Sequence, residues 1–417
     1  MKSVRSMKLF ALVVSAFTLA GFGVVGFAAP AAAVTCTTTY LGDGSQNNPW
    51  QIATNSQLEC FAQGSSRVPA GGGDAYLVQT ADFTRDSILQ IDPGSGGARN
   101  FHYDGQGHSI TIDGVTNFGG LFFNTNSDEI KNLTIHSNNS TLANGKGWFV
   151  WQDVNSTFTN LSSTGAISTN GGGIVGVANG STINKSFSTG QIGFLGGGIL
   201  GALSTTSTVT NSYSTGDILD SAGGIVGSNS FMAVVNSSYS LGSISSNAGG
   251  IIGRTAASVT VTNVYAAGIV SGTGAGIVAG DSLTGQVVNA YSVDGPIVGA
   301  NSQPFTTTNT AVGNGYFSAV QARTVLAPLN AWGECAQVNP VGFYLTAITP
   351  VNPCTAPSPT PTPTPSPTST TSPASLPATG TDIDAVGYLG LGAGVVLSFI
   401  AGLGLLIASR RKAADKQ

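Results

Sequence analysis

Three polar residues near the start of the repetitive part of the chain could carry acid–base chemistry. His102, Asp104 and His108 stand close together in the sequence, and a carboxylate beside an imidazole can supply a general base and a metal ligand. The turn that contains them, Asp104-Gly105-Gln106-Gly107-His108, is rich in glycine and favours a structural role, in which Asp104 bonds its own backbone. We therefore interpret this cluster as structural.

The C-terminus carries a second chemical signal, a pentapeptide followed by an apolar run and a basic tail. The pentapeptide consists of Leu376, Pro377, Ala378, Thr379 and Gly380. The run from Ala385 to Ala408 has no charge and can cross a hydrocarbon core of about 30 Å. The basic tail, which would stay in the cytoplasm, begins with Arg410, Arg411 and Lys412. The three parts in this order resemble the LPXTG cell-wall sorting signal of Gram-positive surface proteins.

That resemblance implies a covalent attachment. A sortase would cut between Thr379 and Gly380 and join the Thr379 carbonyl to peptidoglycan, so sortase and peptidoglycan are the implied partners. The chain would meet a membrane only through its unprocessed C-terminal span. A plain membrane anchor with a chance pentapeptide is the alternative, because short motifs produce false positives.

The N-terminus agrees with export. Lys2, Arg5 and Lys8 precede an apolar stretch, and the small residues Ala31 to Ala33 suit a signal peptidase, so we predict a signal peptide over residues 1–33. Acidic side chains outnumber basic ones in the remaining chain. Nucleic acid is therefore excluded as a partner, because its binding needs clustered Lys and Arg. The predicted location is the cell wall, on the extracellular surface.

Four cysteines lie at the edges of the mature chain. They are Cys36, Cys60, Cys335 and Cys354. An even number in an exported protein predicts disulfides, and four cysteines allow three connectivities. We favour the pairs that are local in sequence, Cys36 with Cys60 and Cys335 with Cys354. A metal site is the competing interpretation, but no Cys-x-x-Cys or nearby His supports it.

The middle of the chain repeats every 26 residues. The repeat is seen in an aromatic row, an apolar row and a glycine row: Phe187, Tyr213, Tyr239, Tyr265, Tyr291 and Phe317; Ile183, Val209, Val235, Val261 and Val287; Gly198, Gly224, Gly250 and Gly276. Further apolar rows start at Ile192 and Ile199. Such rows are what the coils of a solenoid need. The glycines indicate either backbone with positive φ or packing too close for a side chain.

Alternation within each repeat predicts strands. One strand face, expected to point inward with stacked rows of Val, Ile and Tyr, would hold Val209, Asn211 and Tyr213, and the other would hold Thr208, Thr210, Ser212 and Ser214. The fold class is therefore all-β, a right-handed parallel β-helix, or β-solenoid, with about 26 residues per coil. Asn211, Asn263 and Asn289 are expected to form an inward ladder that hydrogen-bonds from coil to coil.

A family resemblance rests on short blocks within these repeats. Gly223-Gly224-Ile225-Val226-Gly227 and Asn211-Ser212-Tyr213-Ser214-Thr215-Gly216 are similar to the GLUG repeat of bacterial surface proteins, and the block from Asp104 to His108 is similar to one that opens such β-helices. The resemblance covers residues 40–318. It implies a β-solenoid and surface display, adhesin-like, and no reaction. Some relatives carry an IgA-cleaving metallopeptidase, but this chain has no His-Glu-x-x-His, so we expect that activity to be absent.

A solenoid can also cleave polysaccharides or bind an ordered surface. Polysaccharide lyases and hydrolases of the β-helix type need clustered carboxylates, and Asp217 and Asp220 have no acidic neighbour one coil away. Flat Thr-x-Thr ladders can bind ice or ordered sugar, and the Thr208–Thr210 and Thr260–Thr262 pairs fit. Val234 with Asn236 interrupts the ladder, which favours an ordinary solvated face. We predict no enzyme activity, catalytic residue, metal or cofactor.

The predicted organisation has six segments. They are the signal peptide 1–33, an N-terminal capping segment 34–100, the solenoid 101–318, a C-terminal capping segment 319–354, a disordered Pro/Thr/Ser stalk 355–375, and the sorting signal 376–417 with its transmembrane helix. The predicted function is a cell-wall-anchored protein that displays a β-solenoid for adhesion to, or interaction with, a host or environmental glycan or protein. A β-helix polysaccharide lyase or hydrolase and a purely structural wall protein remain as alternatives.

Overall fold

The structure is a computed structural model that describes residues 40–63, 69, 72–93, 100–281 and 283–292, with three further strands at 305–308, 332–334 and 343–345. The signal peptide, the stalk, the sorting signal and three of the cysteines (Cys36, Cys335 and Cys354) lie outside these residues. Within the described part, no helix is long and apolar enough to span a membrane. The predicted span from Ala385 to Ala408 lies outside that part.

One short helix and 21 strands make up the described chain. Helix α1 covers Asn55–Gln63. The strands before the regular repeats are β1 (Trp50–Ile52), β2 (Ala75–Gln79), β3 (Phe83–Arg85), β4 (Phe101–Asp104), β5 (Ser109–Asp113), β6 (Phe122–Asn126), β7 (Glu129–Asn138), β8 (Val150–Val154) and β9 (Thr157–Ser163). The later strands are β10 (Val175–Asn179), β11 (Thr182–Asn184), β12 (Phe187–Ser188), β13 (Thr208–Thr210), β14 (Tyr213–Ser214), β15 (Ser230–Phe231), β16 (Val234–Ser240), β17 (Ala256–Ala266), β18 (Leu283–Ser292), β19 (Phe305–Thr308), β20 (Trp332–Glu334) and β21 (Phe343–Leu345).

Parallel pairing between successive coils defines the fold. The long sheet has the order β1-β2-β4-β7-β9-β11-β13-β16-β17-β18-β19. A second sheet, β6-β8-β10, continues through single bridges that join Val175, Leu200, Val226, Ile252 and Ala279 in turn. The chain is thus a parallel β-solenoid of about nine coils at the predicted spacing. Its right-handed sense stays a prediction, based on the handedness of parallel crossovers.

The core consists of apolar rows, one residue per coil. Ile183, Val209, Val235, Val261 and Val287 are fully buried and lie one above the other along the long sheet. The row that starts at Ile199 is buried in the same way, and so is the row that starts at Ile192 except for Val270 at its end, which is half-buried. Each coil cannot bury its apolar face alone, so stacking on both neighbours provides most of the stability.

The glycine row is explained by close packing. Gly198 and Gly224 have no positive φ, but a Cβ on either would overlap the carbonyl oxygen of the equivalent glycine one coil later. It would also lie 2.7 Å from the Cβ of an inward serine, Ser214 or Ser240 respectively. Of the two explanations that the sequence allowed, close packing is therefore correct.

A corner changes the predicted strand parity. Asn211 has a φ of +49° and separates β13 from β14, so the chain turns there. Beyond the turn, Ser212 and Ser214 are buried and Tyr213 lies on the opposite face, partly exposed. The prediction that Val209, Asn211 and Tyr213 share one face is wrong, because a left-handed residue breaks the alternation of a continuous strand.

The aromatic row forms a regular stack outside the core. Phe187, Tyr213, Tyr239 and Tyr265 have successive ring-centroid distances of 4.8, 4.8 and 4.7 Å, with interplanar angles of 6° or less. Tyr239 and Tyr265 are buried, yet they are not part of the central apolar cluster. The prediction that tyrosines point inward with Val and Ile is therefore corrected: they alternate with the inward serines.

The asparagine ladder exists and lies at the corner. The Asn289 side-chain amide donates to Asn263 Oδ1 (2.8 Å), and the Asn263 amide donates to Asn236 Oδ1 (3.0 Å). Asn211 donates in the same way to Asn184 Oδ1 (2.9 Å). The coil-to-coil bonding is as predicted for Asn263 and Asn289, but the ladder is half-buried at a corner and does not face inward.

Helix α1 caps the first coils. Thr54 and Gln57 form a capping box, since Gln57 N donates to Thr54 Oγ1 (3.2 Å) and Thr54 N donates to Gln57 Oε1 (3.2 Å). The fully buried Arg85 on β3 reaches the helix and donates to Asn55 Oδ1 (2.8 Å). Cys60, within α1, is disulfide-bonded. Its predicted partner Cys36 lies outside the described residues, so the pairing stays a prediction.

Candidate functional site

The outward face of the long sheet presents two straight rows of side chains, which we call the outer strip. The first row contains Tyr76, His102, Glu129, Thr157, Thr182, Thr208, Val234, Thr260 and Gln286; the second contains Val78, Asp104, Lys131, Thr159, Asn184, Thr210, Asn236, Thr262 and Val288. Strand alternation turns these residues away from the core, and parallel pairing keeps them in register. The strip thus has a charged and aromatic N-terminal end and an uncharged body.

Stacked rings and ion pairs form the N-terminal end. The Tyr76 and His102 rings are parallel within 5°, with centroids 4.3 Å apart. His102 Nδ1 lies 3.2 Å from Glu129 Oε2, and its Nε2 lies 3.7 Å from Asp74 Oδ2. Lys131 Nζ donates to Glu129 Oε1 (3.1 Å). His102 is therefore held between two carboxylates on neighbouring coils.

Hydrogen bonds from its neighbours compensate the negative charge of Glu129. Its partial burial raises the pKa of the carboxyl, but hydrogen bonds from Lys131 and His102 outweigh this, and the pKa lies below its ordinary value. An ionised, compensated carboxylate suits a binding surface. General-acid catalysis would need the opposite shift, a raised pKa.

The suspected cluster of His102, Asp104 and His108 does not form a common site. Asp104 Oδ1 accepts from the backbone N of Gln106 (2.8 Å), as predicted for a structural turn, and from the Asn132 side chain (2.9 Å). His108 Nδ1 lies 3.1 Å from Asp82 Oδ1. Each of the three residues thus has its own partner.

A groove adjoins the aromatic end of the strip. It has a volume of about 290 Å³ and is lined by Asp43, Ser45, Gln46, Pro69, Gly72, Asp74 and Tyr76. Hydrogen bonds from the Ser45 side chain and backbone lower the pKa of the Asp43 carboxyl. The groove therefore offers carboxylates and an amide, which can hydrogen-bond to sugar hydroxyls, and an aromatic ring, on which the apolar face of a sugar can stack. Among the described residues, no three His, Cys, Asp or Glu side chains are placed to hold a metal ion.

Two buried carboxylates were missed by the sequence reasoning. Asp128 accepts from the backbone N of Phe101 (2.7 Å) and of Asn126 (2.9 Å), and burial raises its pKa to about 6. Asp153 accepts from Thr125 Oγ1 (2.6 Å) and from Ser181, and burial raises its pKa too. Both tie adjacent coils together at a corner. The one sequence pattern that could have predicted them is an acidic residue two or three positions from a residue whose backbone N–H can donate to it. That pattern is too common to be informative.

A second outward cluster consists of Phe123 on β6, Trp151 on β8 and Lys146, which precedes β8. The Phe123 and Trp151 centroids are 4.8 Å apart, and Lys146 Nζ lies 2.7 Å from the centre of the Trp151 ring. Desolvation lowers the pKa of Lys146 to about 8. Because the lysine covers the tryptophan face, the cluster is closed to a stacking ligand.

Comparisons with known proteins add little to this description. Neither protein-family models nor curated proteins give a match. Among solved structures, the crystal structure of a "putative immunoglobulin A1 protease" from Bacteroides ovatus matches with 17% identity, over 73% of this chain and 94% of that chain, at a TM-score of 0.45. A likeness at this level carries no argument about function.

Proposed function

We propose that this chain is an exported surface protein, attached to the cell wall by its C-terminal sorting signal, which displays the solenoid for adhesion to glycans or proteins. The observation that carries the proposal is the combination of the LPATG ending, Leu376 to Gly380, with a coil stack whose outward rows are rich in hydrogen-bonding groups. Export, anchoring and display then form one arrangement. The stalk 355–375 would separate the solenoid from the wall.

Binding would use many weak contacts. The body of the outer strip offers hydroxyl and amide groups at a coil-to-coil step of about 4.8 Å, and the N-terminal groove adds carboxylates beside Tyr76. Hydrogen bonds net about 1 kcal/mol each, so affinity would come from repetition along the strip. Such a surface suits a long partner better than a small molecule.

Binding and cleavage are separated by one pair of assays. Residues 34–354 would be applied to a glycan array, and the same polysaccharides would be tested for release of reducing ends. Binding without release supports the adhesin. Release of reducing ends that is lost in Asp43→Asn or Asp74→Asn would show that the protein is a hydrolase or lyase and not an adhesin. If neither binding nor release is detected, the remaining function is that of a purely structural wall protein.

Anchoring has its own test at Thr379. Thr379→Ala removes the residue whose carbonyl would be joined to peptidoglycan and should move the protein from the wall fraction to the membrane and medium. The matched control is Thr381→Ala, just outside the pentapeptide, which should remain in the wall fraction. Covalent wall attachment of Thr379→Ala would disprove sortase anchoring.

A further inference from the structure

Twelve consecutive positions in the body of the outer strip carry no charge. Two positions lie on each of the strands β9, β11, β13, β16, β17 and β18. They are Thr157, Thr159, Thr182, Asn184, Thr208, Thr210, Val234, Asn236, Thr260, Thr262, Gln286 and Val288. All twelve are exposed or half-buried. Charged residues are scarce in the whole chain, at 8%, so what distinguishes these positions is that nine of the twelve are the β-branched residues Thr or Val.

The strip body is rigid as well as regular. Thr and Val are β-branched and have restricted χ1, so their methyl and hydroxyl groups repeat at fixed positions. In-register parallel strands place them on a lattice of about 4.8 Å by about 6.7 Å. Asn184 and Asn236 are held too, because their side-chain oxygens accept from Asn211 (2.9 Å) and Asn263 (3.0 Å).

The threonine ladder is less interrupted at Val234 in the structure than the sequence indicated. Val234 replaces a threonine in the first row, but it has the same branched shape and keeps the methyl array continuous. The structure also lengthens the array toward the N-terminus. Thr182 lies one regular repeat before Thr208 and aligns with it, and Thr157 and Thr159 align with Thr182 and Asn184 although that coil is one residue shorter.

We propose that the body of the outer strip binds ice. An uncharged array in parallel register, in which nine of twelve residues present β-branched hydroxyl or methyl groups, matches a partner that is itself an uncharged, periodic lattice, and ordered water is a partner that such groups can organise directly. Adhesion to a protein, which calls for aromatic or Arg anchors, would use the groove beside Tyr76 and not these twelve positions, which contain no such anchor. The charged pair Glu129 and Lys131 on β7 marks the N-terminal limit of the site.

The test uses the full mature chain and growing ice. The wild-type protein should be incorporated into a slowly growing ice hemisphere and should shape ice crystals. Thr208→Lys or Thr157→Lys places a hydrated charge in the array and should lower the incorporated fraction by about tenfold, equivalent to about 1.4 kcal/mol. The matched control is Thr273→Lys, at an exposed position outside the strip, which should bind ice as the wild type does.

Each contrary result has a definite meaning. Exclusion of the wild-type protein from ice overturns the proposal, as does an equal loss in Thr273→Lys. Binding to crystalline cellulose or chitin without binding to ice overturns it in favour of a polysaccharide surface. Far-UV circular dichroism and the melting temperature of each variant show that a loss of binding is not a loss of fold.

Discussion

At the residue scale, one corner of each coil requires left-handed backbone. The row contains Asn132, Asn160, Lys185, Asn211, Ser237, Asn263 and Asn289, each with φ between +48° and +56°. Asn tolerates this region and can also bond to its neighbour in the next coil. Where Lys185 and Ser237 occupy the corner, Asn184 and Asn236 supply the acceptor for the following coil. Each asparagine at this corner from Asn160 onward therefore has an acceptor in the preceding coil.

Asn263 is the position at which to test this ladder. Asn263→Ala loses the bonds to Asn236 and Asn289 and leaves, at a φ of +55°, a residue that tolerates left-handed backbone less well than Asn, so we expect a loss of about 2–3 kcal/mol in the free energy of unfolding. Asn263→Gly removes the same bonds without the backbone strain and should cost about half as much. Urea unfolding measures both, and equal losses would show that backbone strain contributes nothing.

Asp128 should make stability depend on pH. Burial raises its folded pKa to about 6, above the value of 3.8 expected in the unfolded chain. The folded state therefore holds its proton more tightly, and the free energy of unfolding should fall as the pH rises from about 4 to about 7. The raised pKa of Asp153 acts in the same direction.

The control for this pH dependence is Asp128→Asn, which cannot titrate. Urea unfolding of the wild type and the variant at several pH values should show a shallower slope for the variant, even though its overall stability falls with one lost acceptor. Identical slopes would show that Asp128 does not cause the dependence.

At the element scale, the periodic rows were predictable and the corners were not. The apolar row through Val209 and the hydrogen bond from Asn289 to Asn263 could be predicted, because similar residues recur every 26 positions. In any stack of coils such equivalent positions lie one above the other. The break at Asn211 does not follow, because the alternation of side chains from Thr208 to Ser214 continues through it in the sequence. Arg85 and Asp128 were missed, since each occurs once and its partners are distant in sequence.

The glycine row gives an element-scale prediction. Gly224→Ala places a Cβ against the Gly250 carbonyl and the Ser240 Cβ, neither of which can move independently, so we expect a loss of about 3 kcal/mol or more. Gly145→Ala is the matched control: its φ is +71°, but nothing lies within 4 Å of the added Cβ, and we expect a loss of about 1–2 kcal/mol. Thermal unfolding ranks the two, and a larger loss at Gly145 would contradict close packing.

At the scale of the whole molecule, the coils are interchangeable units. Removing residues 185–236 deletes two coils and leaves Asn184 in the place of Asn236 beneath Asn263, so the corner ladder stays intact. This variant should fold cooperatively with a lower denaturant m-value, because less surface is buried. Removing residues 185–223 deletes one and a half coils, puts core positions out of phase and should abolish cooperative unfolding. Cooperative unfolding of both variants would contradict the repeat.

The direction of the parallel ladder also decides how the molecule responds to tension. Backbone hydrogen bonds run between coils, along the stack. If the chain is anchored and bound as proposed above, a pull between the two attachments would open one coil's ladder before the next is loaded. Each coil of about 26 residues then releases about 90 Å of chain. A cell held in flowing liquid would thereby gain slack in small steps, and the protein would act as an extensible tether that dissipates force before the outermost contacts fail.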